Sequence, residues 1–273
     1  MKNKLYVNDL KRIEVTLLDA LDEYCKSAGL RYFLTYGTLI GALRHQGFIP
    51  WDDDIDVIMP RRDYEVLIDT FNQNRKYSNI SLLSHRTEKR YCISLAKLID
   101  TTTVLKENVD LGFDIGVYLD IFPLENLADD IESARSRMKR GYRINEKFAL
   151  KTVKWRKGRS LIKNLTLMLG KLALIGKPVS SIIEDLETFC CETKSDSFTK
   201  YVGVMSGISK GDDSRIFEKE WFEDSMMVEF EGKKYPAPIG ADALLRKLYG
   251  DYMKLPPEDQ RVSHHAFEAW YKE

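Results

Sequence analysis

The chain has 273 residues, 44% of them hydrophobic, so it can bury the core of one large domain or of one domain with a smaller appendage. Its 42 Lys and Arg residues match 42 Asp and Glu residues, and this balance does not indicate nucleic-acid binding. The four cysteines form no zinc or redox motif, and the sequence has neither a signal peptide nor a run of ~20 apolar residues, so we expect a cytoplasmic protein with free thiols.

The first half of the chain alternates between helical and strand patterns. Apolar residues at three- and four-residue spacing predict helices at 8–28, 39–45 and 63–71, and Gly29 ends the first of them. Short β-branched and aromatic runs predict strands at 31–36, 55–59, 80–84, 91–99, 102–105 and 117–122. Pro60 and Pro123 are expected to end two of these strands. This order predicts an α/β or α+β core with a mixed sheet.

The second half begins with residues 129–191, which are predicted to be mainly helical. A mixed tail follows, with a hairpin at 226–235 that turns at Glu231-Gly232 and a helix at 241–248. We therefore divide the chain into a core at 1–128, a basic helical segment at 129–200 and a C-terminal part at 201–273.

Four carboxylates lie within five residues in the run Asp52-Asp53-Asp54-Ile55-Asp56, and such a cluster repels itself unless cations or donors neutralise it. Taken alone, the run could be a solvated turn. On a strand, however, alternate side chains share a face, so Asp54 and Asp56 point to the same side. Paired carboxylates at a sheet edge are the hard oxygen ligands that Mg²⁺ or Mn²⁺ prefers. Asp52 and Asp53 are expected to support this pair.

A third carboxylate, Asp120, lies between Leu119 and Ile121 on an apolar strand. Burying it is costly unless it is paired or bound to a metal, so it is the best third ligand. The alternative is a structural salt bridge, and Asp114 is a weaker rival for the same role.

Gly37 and Thr38 join a predicted strand to a predicted helix. Glycine permits close approach of the backbone, and the unpaired amides of a helix N-terminus suit a phosphate. The Thr38 hydroxyl would add a donor. Turns of this kind are common, so the signal is weak by itself.

The motifs together resemble the signature of the LicD family, which includes bacterial phosphocholine transferases and, more distantly, fukutin and fukutin-related protein. The resemblance covers the stretch from Tyr36 to Val57, with Gly37-Thr38 opening a helix and Asp54-x-Asp56 on the next strand. Further residues that match the signature are Arg62-Asp63-Tyr64, 120–124, Tyr249-Gly250-Asp251-Tyr252, Pro256-Pro257, Arg261 and His264-His265. It implies an α+β fold of the nucleotidyltransferase superfold, with a mixed sheet, flanking helices and a helical insertion. Gly-Thr and the long gap before the first acid depart from the wider superfamily, which usually has Gly-Ser or Gly-Gly.

The resemblance implies transfer of phosphocholine from CDP-choline to a hydroxyl of a lipid-linked cell-surface glycan, of the teichoic acid or lipopolysaccharide type, with release of CMP. Ribitol, glycerol or ethanolamine phosphate from its own CDP donor is the alternative. An inactive binding module would have lost a metal carboxylate, and all three are intact. A nucleotidyltransferase that modifies a drug or RNA fits the signature less well.

Under this resemblance, Asp54, Asp56 and Asp120 are catalytic residues that hold Mg²⁺ or Mn²⁺, and Asp120 could instead accept the proton of the sugar hydroxyl. Arg44 and His45 would stabilise the CMP leaving group. Arg44 could equally be a surface charge, and His45 could only cap its helix.

Residues from three other parts of the chain are expected at the site. Arg261, His264 and His265 would return from the tail to contact phosphate. Trp51, Tyr36 and Tyr118 flank the site, either as contacts for choline or in ordinary packing. Arg61 and Arg62 are expected to pair with the aspartates of the acidic run.

Residues 137–177 contain thirteen Lys and Arg residues but a single acid, Glu146, and their later part is strongly apolar. A solvated basic face followed by a core helix would explain this pattern. So would a helix that lies on an anionic membrane surface, where a lipid-linked acceptor would be found.

Overall fold

The computed structural model describes residues 3–106, 113–152, 168–193, 195, 197–207, 211–262 and 268–272. Its helices are α1 (Val7–Ala28), α2 (Tyr36–His45), α3 (Arg61–Thr70), α4 (Ile131–Thr152), α5 (Val179–Cys191) and α6 (Ala241–Tyr249), and residues 168–173 are also helical. Its strands are β1 (Lys4–Leu5), β2 (Phe33–Leu34), β3 (Asp56–Pro60), β4 (Ile80–Leu83), β5 (Ala96–Asp100), β6 (Thr103–Lys106), β7 (Tyr118–Ala128), β8 (Tyr201–Gly203), β9 (Ile216–Glu218), β10 (Ser225–Phe230), β11 (Lys233–Pro238) and β12 (Glu268–Tyr271).

The central sheet has the strand order β2-β3-β7-β5-β4. Only β3 and β7 run parallel in it, while the other neighbours along this order are antiparallel. The sheet is therefore mixed, and the predicted α+β class is confirmed. Helix α1 and the sheet contribute to one large hydrophobic core, and the buried side chains of α1 in it include Leu17, Leu18 and Leu21.

Strand β7 continues to Ala128, so the prediction that Pro123 ends it is wrong. Proline lacks an amide hydrogen, which matters only where a neighbouring strand would accept it. Strand β5 pairs with β7 only up to Ile121, and β8 pairs with it only from Glu125 onwards. Pro123 lies between the stretch that pairs with β5 and the stretch that pairs with β8. Its missing amide hydrogen therefore removes no hydrogen bond from either pairing.

The strand predicted at 91–99 begins only at Ala96. The residues before it form a loop, yet the Tyr91 ring is fully buried. Tyr91 is therefore buried although it belongs to a loop. A sequence pattern cannot distinguish a buried loop residue from a buried strand residue.

The basic helical segment has a small core of its own. Helices α4 and α5 pack against each other, and α4 also contacts β8 and β9. The buried residues of this small core are Leu127, Ala134, Met138, Leu186, Phe189, Cys190, Met205 and Ile216. The Arg137 guanidinium lies over the Phe189 ring, 4.3 Å from its centroid, and donates to the Phe189 carbonyl. This basic residue therefore joins two helices instead of facing solvent.

The hairpin predicted near Glu231 is confirmed, with β10 and β11 pairing across a turn at Glu231 and Gly232. This turn contacts the loop that follows α2. The Glu231 amide donates to the Gln46 carbonyl at 3.0 Å, and the Phe48 amide donates to the Glu231 Oε1 atom at 3.1 Å. The hairpin thus supports the loop that leads into the acidic run.

Candidate active site

A cleft of about 960 Å³ opens where α2 and the start of β3 face the chain after α6. Its acidic lining residues are Asp52, Asp54, Asp56, Asp251 and Asp259. Its basic lining residues are Arg44, Arg215 and Lys254. Its aromatic lining residues are Tyr36, Trp51, Phe122, Tyr249 and Tyr252. The cleft therefore combines an excess of carboxylates with aromatic rings.

Asp54 and Asp56 both line this cleft, whereas Asp53 is buried outside its described lining. This alternation is what the strand pattern predicts. The backbone of Asp56 is held on both sides, because its amide donates to the Thr38 hydroxyl at 2.8 Å and its carbonyl accepts from the Thr35 amide at 3.1 Å. Burial raises the pKa of Asp56 well above its usual range, and the charges of Asp54, Asp120 and Asp52 raise it further.

Asp120 lies beside Asp56, because the two are register partners on the parallel strands β3 and β7. Its Oδ1 atom is 2.7 Å from the ammonium nitrogen of Lys97, a buried residue of β5. The structure therefore places Asp120 near the acidic pair and also gives it the structural salt bridge that was the alternative reading. Among the described residues, no three His, Cys, Asp or Glu side chains are arranged to hold a metal ion.

Glu14 of α1 adds another carboxylate behind the acidic run. Its side chain is 2% exposed, and its Oε2 atom has no hydrogen-bond partner in the described part of the chain. Burial raises the pKa of Glu14 well above its usual range, and so do the charges of Asp54, Asp53 and Asp120. The site thus concentrates negative charge that a bound cation would relieve.

Gly37 and Thr38 lie at the start of α2, as predicted. A Cβ atom at position 37 would come within 2.4 Å of the Asp52 Oδ2 atom, so only glycine lets that carboxylate lie against the helix. Gly37 lines the cleft. The Thr38 hydroxyl is buried and accepts the Asp56 amide, so it holds the acidic strand and lies outside the described lining of the cleft.

Arg44 lines the cleft, and its Nη1 atom donates to the Tyr252 carbonyl at 2.5 Å. Its Nε atom donates to the His45 ring at 2.9 Å. His45 lies outside the described lining of the cleft, and burial together with the Arg44 charge lowers its pKa. Arg44 is therefore placed to meet a ligand, whereas His45 lies behind it.

The tail returns to the cleft through residues 251–262. The Arg261 guanidinium lies 5.8 Å from the centroid of the Trp51 ring, and its Nε atom donates to the Pro256 carbonyl. His264 and His265, which were expected beside it, lie outside the described residues.

Tyr36 and Trp51 line the cleft, while the Tyr118 ring lies under the Lys97 ammonium, 3.2 Å from it. Tyr36 is unusual because its φ angle is +47°, a left-handed conformation that is rare for an aromatic residue and often marks a functional site. Burial raises the pKa of its hydroxyl to about 12. The hydroxyl has no hydrogen-bond partner among the residues that the structure describes.

The expectation that Arg61 pairs with the acidic run is wrong. Arg61 follows the last residue of β3, at the opposite end from Asp56, and it binds Glu125, Glu65 and Glu187 instead. A five-residue strand is about 15 Å long, which is beyond the reach of an arginine side chain.

Three residues near the site were not anticipated from the sequence. Glu14 and Lys97 each carry a signal that could have found them, because both are charged residues at apolar positions of their helix or strand. Arg215 lines the cleft beside the Tyr36 ring, at 5.7 Å from its centroid. No pattern in the loop before β9 marks it.

The comparisons with known proteins agree with this geometry. The family model described as "LicD/FKTN/FKRP, nucleotidyltransferase domain" matches residues 29–148, which contain the acidic strand and Asp120. The chain is 30% identical over 268 residues to the lipopolysaccharide cholinephosphotransferase LicD of Haemophilus influenzae, and the match covers 98% of each chain. It is 29% identical over 126 residues to mannosyltransferase regulator 4 of Saccharomyces cerevisiae, covering 42% of this chain and 10% of that protein.

The α+β fold, the acidic cleft and the matched region together define a nucleotidyltransferase-type domain. The chain belongs to the LicD family, which confirms the resemblance seen in the motifs, and it is an enzyme of the transferase class.

Proposed function

We propose that this enzyme moves phosphocholine from CDP-choline to a hydroxyl of a cell-surface glycan precursor, of the teichoic acid or lipopolysaccharide type, and releases CMP. One observation carries the proposal, namely that a single cleft combines the carboxylates of the acidic strand with aromatic rings and with arginines. The full-length similarity to a cholinephosphotransferase supports the same donor group.

In the proposed reaction, the oxygen of the acceptor hydroxyl bonds to the phosphorus that carries choline. The bond from that phosphorus to the bridging oxygen of CDP-choline breaks, and CMP leaves with this oxygen. The hydroxyl proton passes to a carboxylate of the site. Arg44 and Arg215 line the cleft, and we assign them to contact the phosphate group of the leaving CMP.

We further propose that Asp54 and Asp56 hold a divalent cation, Mg²⁺ or Mn²⁺. Carboxylate oxygens suit these hard ions, and the concentration of negative charge around Asp56 and Glu14 supports the assignment. The ion would neutralise charge on the transferred and leaving phosphates.

The aromatic lining favours choline over an uncharged alcohol. A quaternary ammonium group binds to the faces of aromatic rings, and a nearby carboxylate strengthens the attraction. Trp51 and Tyr249 offer such rings, and Asp52 and Asp251 line the same cleft. Ribitol and glycerol carry no cation that could use these groups.

The acceptor in this proposal is linked to lipid, and we propose that the enzyme meets it at the inner face of the cell membrane. None of the described helices is long and apolar enough to cross a bilayer. A row of exposed apolar side chains, here called the apolar row, lies just before α5 and consists of Met168, Leu169, Leu172 and Ile175. Lys171 and Lys177 lie beside it, so the row could lie on an anionic surface.

A donor screen tests the proposed function. CMP release would be measured with Mg²⁺ and a lipid-linked glycan acceptor from CDP-choline, CDP-ethanolamine, CDP-ribitol and CDP-glycerol. We expect CDP-choline to give a kcat/KM about 5- to 30-fold above the uncharged donors, since the aromatic contacts to a cation supply roughly 1–2 kcal/mol. A higher kcat/KM for CDP-ribitol or CDP-glycerol would contradict the choline assignment.

Asp54→Asn and Asp56→Asn test the acidic pair. Loss of a metal ligand removes several kcal/mol of transition-state stabilisation, so we expect CMP release to fall by roughly 10²–10³-fold or more in each variant. Asp114→Asn is the matched control, because Asp114 is exposed and outside the described lining of the cleft. Retained activity in both Asp54→Asn and Asp56→Asn, with unchanged circular dichroism, would remove these residues from the mechanism.

A further inference from the structure

Lys97, Asp120 and Asp56 form a row across three neighbouring strands of the central sheet. Lys97 of β5 is the register partner of Asp120 of β7, and Asp120 is the register partner of Asp56 of β3. Register partners point to the same face of a sheet, so an ammonium group and two carboxylates lie side by side.

The ammonium group of Lys97 is fixed in this row. Its side chain is 5% exposed, and lysine is almost never buried without a charged partner. The nitrogen lies 2.7 Å from the Asp120 Oδ1 atom and 3.2 Å from the centroid of the Tyr118 ring. An ion pair and a cation–π contact thus hold it from two sides, beside the acidic pair.

Two other cations that line the cleft, Arg44 and Arg215, are bound to backbone carbonyls. Arg215 lies beside the Tyr36 ring, and its Nη1 atom donates to the Ser206 carbonyl at 2.7 Å. Arg44 donates to the Tyr252 carbonyl. Lys97 differs from these two arginines because it forms an ion pair with a carboxylate of the row.

In sites with two metal ions, the second ion neutralises carboxylates and phosphate oxygens next to the first. We propose that the Lys97 ammonium is the counter-ion of Asp120 and takes the electrostatic place of a second metal, so that the chain binds a single divalent cation at Asp54 and Asp56. This inference rests on the cation site proposed above and adds the number of divalent cations that each chain binds. Lys97 is then a positioning residue, and Asp120 is its partner instead of a metal ligand.

Titration of the full chain with Mn²⁺, followed by the EPR signal of the free ion, tests this without turnover. We expect the wild-type chain to bind one Mn²⁺. Lys97→Met removes the counter-ion of Asp120, so we expect this variant to bind two, whereas Lys97→Arg keeps the charge and should bind one. Two ions in the wild type, or one in a folded Lys97→Met variant, would overturn the proposal.

The double variant Lys97→Met/Asp120→Asn keeps the test decisive if Lys97→Met does not fold, because it removes both charges of the pair and leaves no unpaired ammonium group beside the cation. Since Asp120 is not a ligand in this proposal, we expect the double variant to bind one Mn²⁺ with a Kd within about threefold of the wild type, against at least a tenfold weakening for Asp54→Asn. A tenfold weakening in the double variant would make Asp120 a metal ligand and overturn the role given to Lys97.

The proposed function can fail separately. If the wild type binds one Mn²⁺ and the variants behave as expected, yet no donor releases CMP, the transfer reaction is wrong and the assignment of Lys97 stands. If the wild type binds no Mn²⁺ and releases CMP equally well with EDTA, the cation site and this inference are both wrong.

Discussion

Arg61 is a buried guanidinium that joins carboxylates from three elements. Its Nε atom donates to Glu125 of β7 at 2.9 Å, and its Nη1 atom donates to Glu65 of α3 at 3.0 Å and to Glu187 of α5 at 3.3 Å. Both Arg61 and Glu125 are almost completely buried. The cluster therefore ties the helical segment to the end of the sheet that lies away from the cleft.

We expect Arg61→Ala to destabilise the fold by about 3–5 kcal/mol, because it leaves buried carboxylates without their counter-ion. The free energy of unfolding from urea denaturation measures this effect. Arg12→Ala is the control, since the ion pair between Arg12 and Asp9 is exposed and screened by solvent, so its loss should leave the free energy of unfolding nearly unchanged. Similar losses in the two variants would contradict the role assigned to the Arg61 cluster.

Glu14 should make stability depend on pH in the metal-free protein. Its folded-state pKa is raised, mainly by burial, so its contribution to stability is fully present below the unfolded pKa of about 4.5 and is lost as the pH rises through the folded pKa. Glu14→Gln keeps the shape without this titration. We expect its Tm in EDTA to match the wild type near pH 4 and to exceed it increasingly towards pH 8, as thermal melts would measure. A constant difference across that range would contradict the raised pKa.

At the scale of elements, the loop between α2 and β3 shapes the cleft. The Gly47 amide donates to the Gly41 carbonyl at 3.4 Å, and the Asp52 amide donates to the Ile49 carbonyl at 2.9 Å. The loop folds closely onto α2, because a Cβ atom at position 41 would come within 2.4 Å of the Gly47 carbonyl oxygen. Glycine at position 41 therefore determines where Trp51 and Asp52 enter the cleft.

Gly41→Ala should push this loop away from α2. Overpacking against backbone atoms costs about 1–3 kcal/mol, and we expect CMP release to fall at least ~10-fold because Asp52 and the acidic strand move with the loop. Gly176→Ala is the matched control, since a Cβ atom there meets nothing within 4 Å. Thermal melts and CMP release would be measured on both variants, and wild-type activity in Gly41→Ala would show that the loop tolerates the methyl group.

The sequence predicted most elements near the site, because their patterns are local. Helix α1 follows from its apolar spacing, and the separation of Asp54 and Asp56 from Asp53 follows from the alternation of strand side chains. What could not be predicted depends on contacts between distant parts of the chain. The pairing of Lys97 with Asp120 requires the order β3-β7-β5, and the continuation of β7 past Pro123 requires knowing where its neighbours end.

At the scale of the whole molecule, charged groups are separated along the central sheet. The acidic pair lies at the start of β3, and the Arg61 cluster lies beyond its end. Helices α4 and α5 join the sheet on the side of this cluster, so the helical segment is anchored away from the start of β3. The candidate site and the anchor of the helical segment therefore lie at opposite ends of β3.

The apolar row makes a prediction about membranes. Leu172 is 53% exposed and lies one helical turn after Met168, and a buried leucine gains up to about 2 kcal/mol on leaving water. Lysines near an anionic surface add about 1 kcal/mol each. We therefore expect the protein to co-sediment with vesicles of phosphatidylcholine and phosphatidylglycerol more than with phosphatidylcholine alone, and to be released as salt screens the attraction.

Leu172→Glu should weaken binding to the anionic vesicles by about tenfold or more, because it replaces an apolar contact with a repelled charge. Met227→Glu is the matched control, since Met227 is 51% exposed on the hairpin, outside the apolar row. CMP release from CDP-choline to a water-soluble acceptor should be equal in the two variants, because neither residue lines the described cleft. Equal binding to neutral and anionic vesicles would show that electrostatic attraction does not contribute to binding. Equal weakening by the two substitutions would show that the apolar row is not the surface that contacts the membrane.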